Sequence, residues 1–265
     1  MATTMVIIEM GTNRLVDLHC HILPGLDDGS PSLDASIKMA KAAVADGVGY
    51  ILATPHHLDR HYVNHASKVR LAVTTFQAEL DRLGIHLRVF PGQEVHLNGE
   101  IMVNIDDLLG IDEGRKYLLL ELPHEMVPRY LDEVIFQLLC EGITPVIAHP
   151  ERNEQIMANP KILYDLTEQG SISQVTATSL VGIFGKRVQK TAIELVSCGL
   201  VHVVASDAHV FAKRNFVMRK AYKMLAEQDL SYPELFSNNA RCLLNGTDIT
   251  LPPVTIPHKV RKFIL

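Results

Sequence analysis

Short apolar runs alternate with stretches whose apolar residues recur every three or four positions along most of this chain. The runs at 15–20, 50–54, 86–90, 116–120, 144–148, 173–178 and 200–205 read as strands buried on both faces. Between them, 32–46, 64–83, 129–140, 160–169, 188–197, 216–228 and 232–244 carry helical spacing. Ser32 stands as an N-cap before Leu33, Ile37, Ala40 and Val44, and Gly47 closes that helix. About seven strands alternating with helices predict an α/β protein built on a parallel sheet or barrel. The reading gives an extension at 1–13, one domain over 14–250 and a Pro-rich, basic tail at 251–265, with no linker, repeat or low-complexity segment between.

Composition narrows the class of partner. Apolar residues make up 47% and charged residues 21% of the 265, as in ordinary globular proteins. A net charge of −5 lacks the basic surplus that a phosphate-backbone binder needs, so nucleic acid is not expected. Cys20, Cys140, Cys198 and Cys242 are scattered without a C-x-x-C pair and read as reduced thiols. No apolar run approaches the roughly 18 residues that span a bilayer, and residues 1–9 do not resemble a secretory signal. No membrane insertion and a cytoplasmic location are the expectations.

The chemistry lies in what stands where the strands end. His19 and His21 are two residues apart on the first strand, so both side chains point to one face. An isolated H-x-H pair also fits simple packing. Here, however, His56, Glu94, Glu121, His149 and then Asp207 with His209 each close a further strand, and Asp28 lies in the loop after the first. In parallel β/α barrels the carboxyl ends of the strands build the active site. Five histidines and four carboxylates, with no cysteine, suit manganese, iron, zinc or magnesium. Nine ligands exceed the needs of one ion, so two or three ions sharing carboxylates are expected, a cluster suited to hydrolysis. Arg152, three residues past His149, and Arg214, five past His209, are placed to grip an anion such as phosphate.

The remaining histidines read as surface or packing residues, with His57 and His96 the two most open to a place near substrate. Tyr62, Lys186 and Arg187 are candidates for the mouth on position alone. No cysteine is followed by arginine six residues on, no G-x-x-x-x-G-K occurs and no D-x-D occurs. Cysteine-loop, P-loop and aspartyl-phosphate chemistry are therefore excluded, and any phosphate cleavage falls to metal.

With these residues in hand the chain resembles the PHP (polymerase and histidinol phosphatase) superfamily. Within it, the chain is most similar to the manganese-dependent protein-tyrosine phosphatases of bacterial capsule and exopolysaccharide operons, the CpsB/YwqE type. The matching words are D-L-H-C-H-I-L-P-G-L-D-D-G-S at 17–30, A-T-P-H-H at 53–57, G-Q-E-V at 92–95 and L-L-L-E-L at 118–122. G-I-T-P-V-I-A-H-P-E-R at 142–152, Q-V-T-A at 174–177 and V-A-S-D-A-H at 204–209 follow in order. The resemblance implies a distorted seven-stranded (β/α)7 barrel, TIM-barrel-like, with three metals. It assigns His19, His21, Glu94 and Asp207 to one ion, Glu94, Glu121 and His149 to a second, and Asp28, His56 and His209 to a third. It makes Arg152 and Arg214 the phosphate ligands, manganese the expected metal and a bacterial tyrosine autokinase of polysaccharide export the expected partner. Another phosphoesterase of the superfamily, acting on histidinol phosphate or a small metabolite, and an inactive regulatory module are the alternatives.

Overall fold

The computed structural model describes residues 14–210 and 214–257; the 1–13 extension and the tail past 257 lie outside the described residues. The strands are β1 (Leu15–Cys20), β2 (Val48–Ala53), β3 (His56–His57), β4 (Arg88–Pro91) and β5 (Glu94–His96), followed by β6 (Tyr117–Glu121), β7 (Thr144–Ala148), β8 (Ile172–Thr176) and β9 (Val203–Ala205). Their order is β1–β2–β4 in one sheet and β3–β5–β6–β7–β8–β9 in the other. Every pairing is parallel. No helix among the described residues is long and apolar enough to cross a membrane.

Two of these strands, β3 and β5, lie beyond the expected strands at 50–54 and 86–90, past Pro55 and Gly92. Pro55 has no N–H, so the ladder is interrupted there. It is not ended: Gly92 N donates to Ala53 O at 2.9 Å and Glu94 N to Pro55 O at 3.2 Å. The chain therefore resumes as a strand on the far side of each break. That resumption sets His56 opposite Glu94, and His96 opposite Glu121, in adjacent register positions. Short helices at Glu154–Ala158 and Ala177–Leu180 were also absent from the sequence pattern, because four or five residues are too few to show a helical period.

The alternation along β6 shows how the sheet sorts its faces. Leu118 and Leu120 join the larger apolar cluster with helix residues such as Leu138 and Leu195. Tyr117 and Leu119 join a smaller cluster with Val146, Ala148 and Val203. Glu121 shares the face of Tyr117 and Leu119, one step further toward the carboxyl end. The helices cover the sheets as their spacing predicts. Ala66–Arg82 buries Val69, Val73, Phe76 and Leu80, one stripe of period near 3.6. Truncating Phe76, at 1% exposure, to alanine would cost about 3–5 kcal/mol. Leu33–Ala45 begins at Ser32, whose side chain accepts from Ala35 N at 3.3 Å.

The first and last strands meet. Asp207 N donates to His19 O at 2.8 Å and His21 N to Ala208 O at 3.1 Å. Beneath that junction Ser206 donates twice to the buried carboxylate of Asp17, from N at 2.8 Å and from Oγ at 2.5 Å. Burial pushes the Asp17 pKa up to about 6 against the pull of those hydrogen bonds. The tail has a foothold on the body, where Thr255 N donates to Cys198 O at 2.9 Å.

Candidate metal centre

All nine expected ligands converge at the carboxyl ends of the strands. His19 and His21 do share a face, and their Nε2 atoms stand 3.2 Å apart. Each ring is fixed from behind. His19 Nδ1 donates to Gln174 Oε1 at 2.9 Å, and His21 Nδ1 to Asp27 Oδ2 at 2.7 Å. With the proton on Nδ1, each neutral ring turns the lone pair of Nε2 inward. The two lone pairs face each other and also face oxygens: Glu94 Oε2 is 3.1 Å from both, and Asp207 Oδ1 is 3.4 Å from both. Lone pairs crowded on lone pairs repel unless positive charge lies among them.

Protons or metal ions can supply that charge. Without a metal, burial disfavours the charged form of His21, but Asp27, Asp207 and Glu94 outweigh it and hold its pKa well above the ordinary value. Burial likewise works against a charged His56, yet Glu94 and Asp28 push its pKa up to about 9. Glu94 and Asp207 resist burial in the same way and stay well below the carboxylate range, through His19 and His56 for the first and Arg152 and His19 for the second. His209 goes the other way, pushed down to about 4 by burial and by its neighbour His21.

The donor set fits metal ions better than protons. Glu94 Oε2, Asp207 Oδ1, His56 Nδ1 and His209 Nε2 are buried and have no hydrogen-bond partner. Buried polar atoms are normally paired, so four orphans around one centre suit cations as their partners. Ligand atoms come within 4.8 Å of one another in four overlapping groups: His21, Asp28, His56 and His209; His19, Glu94 and His149; His19, His21 and Asp207; His56, Glu94 and Glu121. These groups overlap more than the three sets implied by the resemblance, with Glu94, His19, His21 and His56 each in two. Two of the nine sit on strained backbone. His149 has φ 33° and Asp207 φ 48°, a region that costs a non-glycine residue on the order of 1–3 kcal/mol and clusters at functional sites. The Asp28 loop closes tightly on β1, since a Cβ on Gly29 would meet His21 Cβ and O at 2.3 Å.

The two arginines arrive from separate loops on one oxygen. Arg152 Nη1 and Arg214 Nη2 donate to Asp207 Oδ2 at 2.5 Å and 2.6 Å. Arg214 Nε is buried with no acceptor, a donor left over for an anion. The Arg152 guanidinium lies 5.4 Å from the centroid of the Phe184 ring. Cys20 is no nucleophile here, because burial and the nearby Asp17 and Asp207 push its thiol well above the ordinary value.

The family model described as capsular polysaccharide synthesis, CpsB/CapC, matches residues 15–245. The chain belongs to the CpsB/CapC family. It is 43% identical over 252 residues to the tyrosine-protein phosphatase YwqE of Bacillus subtilis, covering 94% of this chain and 98% of YwqE. CapC of Staphylococcus aureus is 35% identical over 257 residues, covering 94% of this chain and 98% of CapC. Among solved structures, a chain from the work on YwqE of Bacillus subtilis and CpsB of Streptococcus pneumoniae, described as metal-dependent tyrosine phosphatases, superposes with a TM-score of 0.89. It is 42% identical and covers 92% of this chain and 100% of its own.

Within this family member the residues behind the ligands went unassigned in the sequence. Asp27 orients His21 and also accepts from His56 N at 3.1 Å, and Gln174 orients His19. The doubled Asp27-Asp28 and the polar Gln174 in an apolar strand were the available signals. His96 does touch the centre, through Glu121 Oε2 at 2.9 Å. His57 does not: it is buried, both ring nitrogens lack a hydrogen bond, and its nearest carboxylate is Asp107 at 3.9 Å. Tyr62 stacks on His56 with ring centroids 6.0 Å apart.

Proposed function

We propose that this chain is a metal-dependent protein-tyrosine phosphatase acting on the phosphotyrosines of a bacterial tyrosine autokinase of polysaccharide export, in the cytoplasm. The facing Nε2 lone pairs of His19 and His21, ringed by Glu94 and Asp207, carry this reading. In it, residues 14–250 form one catalytic domain, and β2 with β3 and β4 with β5 each count as one interrupted strand of a distorted seven-stranded barrel of PHP type. His19, His21, Asp28, His56, Glu94, Glu121, His149, Asp207 and His209 hold two or three divalent ions, manganese first, with iron, zinc or magnesium as alternatives. Such ions, when bound, lower the pKa of water and neutralise phosphoryl oxygens.

The protein's own part is positioning. Arg214 Nε, buried and unpaired, donates to a phosphate oxygen. Asp207 aligns both guanidiniums through one carboxylate oxygen, so the two cations converge where charge develops on the phosphoryl group. Phosphotyrosine leaves as a phenol of pKa about 10, which needs less help from a general acid than an alkoxide does. Purified protein, assayed beside its metal content, should hydrolyse phosphotyrosine peptides and para-nitrophenyl phosphate, lose both activities to a chelator, and act far more slowly on phosphoserine. Equal rates on phosphoserine, or a faster rate on histidinol phosphate, would sink the tyrosine assignment.

A further inference from the structure

Just past Phe184, at the edge of the centre, stands a cluster of positive charge that the hydrolysis does not use. The helix Lys186–Ser197 packs against the turn Pro150–Arg152, and Phe184, two residues before that helix, lies over Arg152. Lys186, Arg187 and Lys190 are exposed on its first turns, at spacings of one, three and four that put them on one face. Among the described residues none of the three side chains makes an ion pair or hydrogen bond, and the helix carries a single acid, Glu194. On a chain of net charge −5, three unpaired cations on one face make a local positive patch. Like charges held together without partners repel, so the arrangement favours an anionic occupant.

We propose that Lys186, Arg187 and Lys190 form a docking ledge for acidic side chains that flank the phosphotyrosine in the substrate peptide, an inference that rests on the tyrosine-phosphatase reading. The position decides for a peptide. A phosphate held at Arg152 fixes one end of an extended segment, which advances about 3.3 Å per residue. Residues one to three places from the phosphotyrosine thus reach about 10 Å from the phosphate grip, and the helix that packs on the Pro150–Arg152 turn offers its cations to that reach. Phe184, with its ring against Arg152 and two residues before Lys186, joins the phosphate grip to the start of the ledge along the chain.

The test compares two phosphotyrosine peptides of equal length, one with Asp and Glu on both flanks and one with Gln and Asn there. Both are assayed on the metal-loaded wild type and on a Lys186→Gln/Arg187→Gln/Lys190→Gln variant, with para-nitrophenyl phosphate in parallel. Wild type should favour the acidic peptide about tenfold in kcat/KM, through KM, and that preference should shrink as salt rises. In the variant the preference should vanish, with the acidic peptide losing about ten times more kcat/KM than para-nitrophenyl phosphate does. Calorimetric binding of a non-hydrolysable phosphonate version of the acidic peptide should weaken by the same factor. Equal handling of the two peptides by wild type would overturn the ledge while leaving the phosphatase reading standing. So would an equal loss on every substrate, or cations that bind anionic phosphatidylserine vesicles without discriminating peptides. No hydrolysis of either peptide by chelator-sensitive, metal-loaded protein would overturn both.

Discussion

Two histidines at opposite ends of the strands, His202 just before β9 and His21 just after β1, are buried equally well and treated in opposite ways. At the amino end His202 is fully buried, its Nδ1 accepts from Ser173 N at 3.1 Å, and no charged group lies against it. Burial alone acts there, and it pushes the His202 pKa down to about 4. At the carboxyl end His21, across the junction from Ala208, is just as buried, yet Asp27, Asp207 and Glu94 hold its pKa well above normal. The contrast shows that depth in the protein does not decide whether an imidazole is charged. What decides it is the balance of charges buried with it: carboxylates hold His21 up, while burial and the neighbouring His21 bring His209 down to about 4 despite Asp28 and Asp207. One end of the sheet is built neutral and inert, while the other concentrates negative charge that only cations relieve.

The contrast breaks most severely at Asp207, which faces His19 and His21 with one oxygen and both arginines with the other. Asp207→Ala should lower phosphotyrosine hydrolysis by about three orders of magnitude and reduce bound metal, read by elemental analysis of the purified protein. Retained metal with normal turnover would refute that role. Arg152→Ala separates charge stabilisation from metal holding: activity should fall about 10²–10³-fold at unchanged metal content. His202 tests the neutral end. A histidine whose folded pKa lies below its unfolded value of 6.5 gives stability that is whole above pH 6.5 and lost as pH falls toward 4. Replacing it in His202→Gln should remove up to about 3 kcal/mol of the pH dependence of urea unfolding between pH 7 and pH 4, with metal content untouched. The mildest change is Asp27→Asn, which leaves every direct ligand in place and should weaken metal affinity about 10–100-fold in a competition titration.

Much of the centre was readable from spacing. The pair His19 and His21, and the strand-terminal positions of Glu121, His149, Asp207 and His209, follow from a period of two and from where each apolar run stops. The groups behind them were not readable. Gln174 lies 155 residues from His19, and nothing local to either says that they touch. Asp27 and Asp28 are neighbours of one residue type, and only the fold of the Pro24–Ser30 loop gives Asp27 the second row and Asp28 the place beside His56 and His209. The resumed strands β3 and β5 escaped for a related reason: two or three residues after a proline or glycine carry no period, and their pairing is set by the ladder next to them.

The sequence by itself determined the alternation of strand and helix, the candidate ligands at the strand ends and the exclusion of a cysteine nucleophile, because each depends on residue type and short spacing. Tertiary structure alone decided that β1 and β9 lie side by side, that both arginines meet on one oxygen of Asp207, and that histidine tautomers turn lone pairs toward one another. Those are distances between segments far apart in the chain, and they exist only once the apolar faces have packed and fixed the strand ends in space.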